Sequence, residues 1–392
     1  MLRHLIDISI TWLKNVCGEK RSAMRTLTGT PAANGFRMPA EWEPHEGCWM
    51  LWPERPDNWR AGAKPAQAAF AAVAHAVADA GDPVTVGVSA AQFRHARASL
   101  SAAIRVVELS FDDVWIRDTG PTFVLDQEGR RRGVDWIFNA WGGLEGGLYF
   151  PWDADDQVAG KVLEIERNDR YRAPFVLEGG SVHVDGEGTC LTTEQCLLNS
   201  NRNPGLSREQ LEQLLSDYLG IERVIWLSAG VHADETDGHI DNLACFVRPG
   251  VVCLTWTDDE QDPQHAISRD ALERLKRATD ARGRPLEVHT VPMPGPLRYS
   301  EEEARGIDRR GDGEPWRLEL RMPGSYVNFY VANRGVVVPM LDPLHDEQVI
   351  AQLSDLFPGR DVIGVPAREV LLGGGNVHCI TQQVPAARSW RN

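Results

Sequence analysis

The stretch "HIDNLACFVRPGVVCLTWT", residues 239–257, consists of two short β-prone runs on either side of an Arg-Pro-Gly turn. Runs of that kind around a Pro-Gly step predict a β-hairpin. Downstream, "SRDALERLKRATDARG" (268–283) has apolar residues at helical spacing, and "LEVHTV" (286–291) is again strand-like. Hairpin, helix, strand therefore makes one unit.

The same order recurs along the chain. It appears as "FVLDQEGRRRGVDWIFN", "DADDQVAGKVLEIE" and "APFVLE" between residues 123 and 178. It returns as "SVHVDGEGTCLTTEQCL", "SREQLEQLLSDYLG" and "RVIWLS" between 181 and 228, where Ser207 is an N-cap and Gly220 a helix stop. A further unit, "SYVNFYVANRGVVVPM", "DEQVIAQLSDLFPG" and "DVIGVP", lies between 325 and 366. A period of roughly 50 to 80 residues indicates a propeller-like array rather than a doubly wound sheet.

Two fragments are left over. "HEGCWMLWP", "PAQAAFAAVAHAVADAG" and "PVTVGV" (45–88) form a unit that lacks half its hairpin, and the C-terminal "NVHCITQQ" is half a hairpin alone. If these halves pair, a fifth unit closes the ring and no sheet edge stays exposed. The expected fold is therefore a five-unit, pseudo-symmetric α/β propeller closed by its N- and C-terminal strands. One catalytic domain is expected over residues 36–388, preceded by a poorly ordered extension over residues 1–35, with Met24 as a second candidate start.

Composition narrows the partners. The 392 residues carry 41 basic and 56 acidic side chains, a formal charge of -15. That argues against nucleic acid or an anionic membrane and is compatible with a cationic ligand. The seven cysteines are odd in number and contain no CxxC, so neither a disulfide framework nor a thiolate zinc site is indicated, and a cytoplasmic location is expected. No apolar run is long enough to span a membrane.

The units also echo one another in sequence. "VLEGGSVHV" (176–184) aligns with "LLGGGNVHC" (371–379), and "DTGPTFV" (118–124) with "DNLACFV" (241–247). Equivalent positions in a closed ring point to one axis. Asp118, Glu178, His239, Asp241 and Cys379 should therefore converge at one axial mouth. By itself Cys379 in an apolar strand is an ordinary small core residue, and the adjacent His378 should point to the opposite face as a structural side chain.

A sulfur, an imidazole and three carboxylates suit a cationic electrophile. A guanidinium is planar, almost permanently charged, and offers N–H forks that match carboxylates. Its desolvation demands more than one negative partner. A thiolate adds to its carbon if an acid protonates the departing nitrogen, and the same imidazole then activates water. G-x-S-x-G and the P-loop pattern are both missing, and the Gly373–Gly375 run is not followed by a helical pattern.

The motifs "MPAEWEPHEGCWMLWPERPDNWR", "VWIRDTGPT", "VLEGGSVHVDGEGT", "ETDGHIDN" and "LLGGGNVHCITQQVP" together resemble the agmatine deiminase family of the guanidino-group-modifying superfamily, nearly continuously from Met38 to Pro385. The resemblance implies hydrolysis of agmatine to N-carbamoylputrescine and ammonia, in polyamine (putrescine) biosynthesis or agmatine catabolism, without metal or cofactor. It places Cys379 on the covalent nucleophile and His239 on the general acid/base. Asp118, Glu178 and Asp241 fall on guanidinium ligands, and Trp115 on an aromatic beside the substrate's aliphatic stem. Assembly into a homo-oligomer, a dimer or larger, is likewise implied.

The distal ammonium of agmatine prefers an acidic or aromatic neighbour, and Glu235 is the candidate. Three rivals stay open: an arginine or peptidyl-arginine deiminase, a metal-dependent amidinohydrolase, and a non-catalytic binding platform. The metal alternative would use His232, Asp234, Asp237, His239 and Asp241 of "HADETDGHID". The N-terminal extension and the charged "RGIDRRGDGEPWRLELRMPG" depart from the family pattern.

Overall fold

The computed structural model describes residues 24–308 and 320–387. Residues 1–23 of the anticipated extension, and most of the charged stretch after Arg305, lie outside the described residues. From Arg25 onward the chain is tied down, earlier than expected: Arg25 N–H bonds Asp169 Oδ1 at 3.1 Å and Leu27 N–H bonds the Arg170 carbonyl at 2.7 Å.

Among the described residues, five sheets share one pattern, an antiparallel pair extended by a parallel strand. The first is built on β1 (His45–Leu51), β2 (Val84–Val88) and β3 (Arg105–Glu108). The second contains β4 (Thr122–Leu125), β5 (Arg131–Ile137) and β6 (Arg170–Val176), and the third β7 (His183–Val184), β8 (Thr189–Thr193) and β9 (Arg223–Leu227). The fourth is β10 (Ala244–Arg248), β11 (Val251–Trp256) and β12 (Glu287–Pro292). The fifth is β13 (Tyr330–Val331), β14 (Gly335–Met340) and β15 (Asp361–Pro366). The last strand, β16 (Gln382–Pro385), returns to the first sheet and pairs antiparallel with β1, Trp49 opposite Gln382 and Cys48 opposite Gln383.

In each sheet a helix joins two parallel neighbours, β1 to β2 in the first sheet and the second strand to the third in the others, because a parallel connection needs a long crossover. Those helices are Lys64–Asp79, Val158–Ile165, Arg208–Leu219, Pro263–Arg277 and Asp346–Leu356. Several bury their apolar stripe between neighbouring sheets: Pro263–Arg277 touches β11 and β9, Asp346–Leu356 touches β15 and β12, and Lys64–Asp79 touches β2, β14 and β15. Phe70, Val73 and Val77 supply the buried stripe of that first helix, each stabilising by roughly 1.5–3 kcal/mol. Ser207 caps the helix Arg208–Leu219 and Gly220 ends it at φ 71°, as expected, and Gln210 completes a capping box with Ser207.

Among the elements not anticipated are the helix Phe93–Ser99, short helical turns such as Ile116–Thr119 and Ile240–Leu243, and β3. This last is a four-residue strand reading Arg-Val-Val-Glu, with neither face fully buried, so it carries no clean alternation. No helix among the described residues is long and apolar enough to cross a membrane.

Candidate active site

Short turns just ahead of the first hairpin strands carry the candidate residues. Asp118 sits in the turn Ile116–Thr119 before β4, and Asp241 in Ile240–Leu243 before β10, with His239 immediately ahead of it. Glu178 precedes Gly179–Ser181 and β7, and Cys379 lies in a turn before β16. The sequence leads one to expect Cys379 within an apolar strand. The turns instead let backbone and side chain both point inward: Arg117 N–H reaches the Cys379 carbonyl at 3.2 Å, and Gly180 N–H donates to Asp118 Oδ1 at 2.8 Å.

All five predicted side chains meet. His239 Nδ1 is 3.8 Å from Asp118 Oδ2, and its Nε2 is 3.8 Å from Glu178 Oε2. Cys379 Sγ is 3.8 Å from Asp241 Oδ2 and donates to Asn328 Oδ1 at 3.5 Å. Close approach requires glycine at position 180, because a Cβ there would lie 2.6 Å from His239 Nδ1 and 3.0 Å from Asp118 Oδ1.

Each carboxylate is anchored differently. Glu178 Oε1 accepts from Arg202 Nε at 2.7 Å, and Asp241 Oδ2 from His378 Nδ1 at 2.8 Å. Their second oxygens, Glu178 Oε2 and Asp241 Oδ1, are buried with no hydrogen-bond partner among the described residues. Such atoms cost about 1–3 kcal/mol each until a donor arrives. Asp118 is fully engaged, since its Oδ2 also accepts from Trp141 Nε1 at 3.0 Å.

Electrostatics follow from this geometry. Burial works against charge on His239, but Asp118, Cys196 and Glu178 outweigh it and hold the imidazole well above 6.5, as an imidazolium. Burial likewise disfavours charge on Glu178, yet Arg202 and His239 bring it down to about 2. Asp118 is pushed up to about 6 by burial and by Asp241 and Glu178, against the pull of His239. Asp241 is lowered despite burial, chiefly by His378. Burial, Asp241 and Asp118 raise the Cys379 thiol well above its usual range, so the resting sulfur is protonated.

The cavity above the sulfur is lined by Trp115, Trp141, Tyr149, Glu235, Asn242 and Gly373–Gly375, together with Asp113 and Arg55. Trp115 therefore faces the cavity, and Glu235, half-buried, stands beside Gly374. The glycines admit the indoles: a Cβ at 375 would lie 2.4 Å from Trp115, and one at 373 would lie 2.1 Å from Trp59. Trp115, Trp59 and Asn58 all donate to the Asp113 carboxylate, at 3.2, 3.1 and 3.1 Å. Arg55 is committed to Asp57 at 2.7 and 3.1 Å and lies over the Tyr149 ring.

His378 corrects the expectation that it points away. Residues 377–380 form a turn, so strand parity does not apply, and His378 bridges Asp241 and Glu41, each at 2.8 Å. Burial and Arg117 oppose its charge, but Glu41 and Asp241 hold it raised. Arg117 is no partner of Asp118; it reaches Gln383 Oε1 at 2.6 Å and lies 3.8 Å from Glu41. Asn328, Arg202 and Trp141 also went unnoticed in the sequence, where nothing local marks them.

The metal alternative finds no cluster in "HADETDGHID". Asp234 folds its own loop, accepting from Thr236 N–H at 2.9 Å and His239 N–H at 3.1 Å, and Asp237 pairs with Arg202 at 2.8 Å. Among the described residues, three metal-ligand types come together only in Glu178, Cys196 and His239.

The chain matches the family model of Porphyromonas-type peptidyl-arginine deiminases over residues 37–385. It is 60% identical over 367 residues to an agmatine deiminase of Pseudomonas aeruginosa (strain LESB58), covering 93% of this chain and all of that one. It is 56% identical to a putative agmatine deiminase 1 of Listeria monocytogenes, covering 92% of this chain and all of that one. A solved agmatine deiminase of Enterococcus faecalis superposes with a TM-score of 0.89 at 49% identity, covering 94% of this chain and all of that one.

Proposed function

The chain belongs to the Porphyromonas-type peptidyl-arginine deiminase family, and from its agmatine deiminase relatives we infer that it is a hydrolase acting on agmatine. The products are N-carbamoylputrescine and ammonia. The observation that carries the mechanism is the meeting of Cys379 with Asp241 and of His239 with Glu178, each carboxylate keeping one buried, unpartnered oxygen.

The guanidinium brings N–H donors to Glu178 Oε2 and Asp241 Oδ1, and its positive charge offsets the field that keeps Cys379 protonated. The thiol proton leaves to solvent and the thiolate forms an S–C bond at the guanidinium carbon. His239, already an imidazolium, gives its proton to one NH2 group, and the C–N bond breaks with release of ammonia. The neutral imidazole then takes a proton from water. The hydroxide oxygen bonds to the amidino carbon, and the S–C bond breaks to return the thiolate and the carbamoyl product.

Substrate choice follows from the wall. Trp115 offers its ring to an aliphatic stem and Glu235 its carboxylate to a distal ammonium. An amino-acid carboxylate would meet Glu235 and Asp113, while Arg55 is already occupied by Asp57. That disfavours free arginine. The shared strand order, the β16–β1 pairing and the packing of helix Lys64–Asp79 on β15 support a closed five-unit propeller. The six cysteines among the described residues are unpaired, which fits a reducing cytoplasm. A homo-oligomer and a place in putrescine formation complete the proposal.

Ammonia release from agmatine, arginine and a blocked peptidyl-arginine, with the unaltered protein and Cys379→Ala, tests it. Agmatine should be preferred and the alanine variant inactive. Wild-type turnover by that variant refutes the thiol mechanism, and a preference for arginine refutes the substrate alone.

A further inference from the structure

Glu178, Cys196 and His239 bring a carboxylate oxygen, a thiol sulfur and an imidazole nitrogen within 4.8 Å of one another, and all three residues are buried. Two of the polar atoms concerned, Glu178 Oε2 and His239 Nε2, lie 3.8 Å apart and have no hydrogen-bond partner among the described residues. Cys196 is held in place because its N–H bonds Thr193 Oγ1 at 3.1 Å, which fixes the turn Glu194–Leu197. One oxygen, one nitrogen and one sulfur in a closed corner make a donor set suited to zinc. Bonds of about 2.0 to 2.3 Å hold tetrahedral ligands roughly 3.3 to 3.8 Å apart, so a small contraction of the triad suffices.

We propose that Glu178, Cys196 and His239 form an inhibitory site for a thiophilic divalent cation such as Zn2+. Coordination breaks the Cys196 S–H bond and removes the imidazolium proton, with both protons going to solvent. A metal–sulfur and a metal–nitrogen bond replace them, beside a metal–oxygen bond to Glu178. Two positive charges enter as two leave, so the charge enclosed next to Arg202 is unchanged. The cation turns the imidazolium that would protonate the departing ammonia into a metal-bound neutral imidazole, so it stops turnover. The inhibitory consequence rests on the role given to His239 above; the binding does not.

Cobalt reports such a site directly. Co2+ added to full-length Cys379→Ala, which keeps the triad and lacks the competing thiol, should show one equivalent of tetrahedral absorption with a sulfur-to-cobalt charge-transfer band. Zn2+ should displace it, and Zn2+ should inhibit the unaltered enzyme until chelator is added. In the same background, Cys196→Ser should abolish the charge-transfer band and weaken Zn2+ binding at least tenfold. His239→Gln should weaken it at least tenfold as well, and it decides the matter if the serine variant does not fold. Unchanged affinity in whichever variant folds overturns the site, as does a band seen only when Cys379 is present. If the unaltered protein releases no ammonia from agmatine, the functional assignment falls while the cobalt result stands. Normal turnover with no metal bound removes this site alone.

Discussion

Arg202 Nε donates to Glu178 Oε1 across 2.7 Å, with both side chains wholly excluded from solvent. The same guanidinium bonds Asp237 Oδ2 and the Thr236 carbonyl, each at 2.8 Å, so it also braces the loop that carries His239. Breaking a buried pair leaves an uncompensated charge, which costs about 3–5 kcal/mol. Arg202→Ala should lose that much stability in urea denaturation. Arg202→Lys, which keeps the charge without the fork, should fall between. A loss below about 1 kcal/mol in the alanine variant would show that water or another cation reaches Glu178.

Acid stability depends on the same carboxylate. Folding lowers Glu178 from 4.5 to about 2, so the unfolded chain binds its proton more tightly. The resulting stabilisation is complete above pH 4.5 and disappears as the pH falls towards 2. Urea midpoints measured across that window should fall less steeply for Glu178→Gln than for the unaltered protein. Equal slopes would mean that Glu178 does not ionise differently on folding.

Turnover should rise on the acid side with Asp118, which is raised to about 6. Its ionised form is the one that supports the His239 imidazolium. On the alkaline side the rate should fall only well above pH 6.5, as His239 loses the proton that the proposed mechanism has it donate. The profile of kcat/KM for agmatine, a substrate that stays cationic throughout, reports both limbs. An acid limb at an ordinary carboxylate value near 3.8 would contradict the buried cluster.

Trp141 is the lever on that acid limb. Its Nε1–H donates to Asp118 Oδ2 at 3.0 Å and so favours the ionised carboxylate. Trp141→Phe keeps most of the ring but loses a hydrogen bond to a charged group, about 1.5–3 kcal/mol. Activity near neutral pH should drop by roughly tenfold or more, and the acid limb should move to higher pH. A lower rate with an unmoved limb would assign Trp141 to packing alone.

Asp118 and Asp241 were legible because two units of the chain repeat the same seven-residue pattern, and Cys379 because its glycine-rich run repeats that of Glu178. Helices and hairpins followed from period and turn chemistry, which are local. His378, Asn328, Arg202 and Trp141 were not legible, since each acts through a hydrogen bond to a residue distant in sequence and nothing in its own neighbourhood marks it. His378 also shows where strand parity fails: Leu372–Gly374 and 377–380 are turns, so neighbouring side chains need not face opposite ways. The short strand β3 escaped notice because four residues without a buried face leave almost no period.

Gly180 tests how tightly the cluster is drawn. Its N–H holds Asp118 Oδ1 at 2.8 Å, and a Cβ would stand 2.6 Å from His239 Nδ1, 3.0 Å from Asp118 Oδ1 and 3.1 Å from Asp241 Oδ2. The backbone there is not in the left-handed region, so alanine is excluded by contact and not by conformation. Gly180→Ala must therefore push the imidazole or a carboxylate aside. Displacements of about 1 Å at reacting groups cost on the order of a hundredfold in rate. The expected result is a kcat at least a hundredfold lower, with KM for agmatine raised because Asp241 also shifts. Circular dichroism should stay native, since Gly180 touches the site and not the sheets. Near-normal kinetics in a folded Gly180→Ala would mean that His239 and Asp118 tolerate a wider spacing than 3.8 Å.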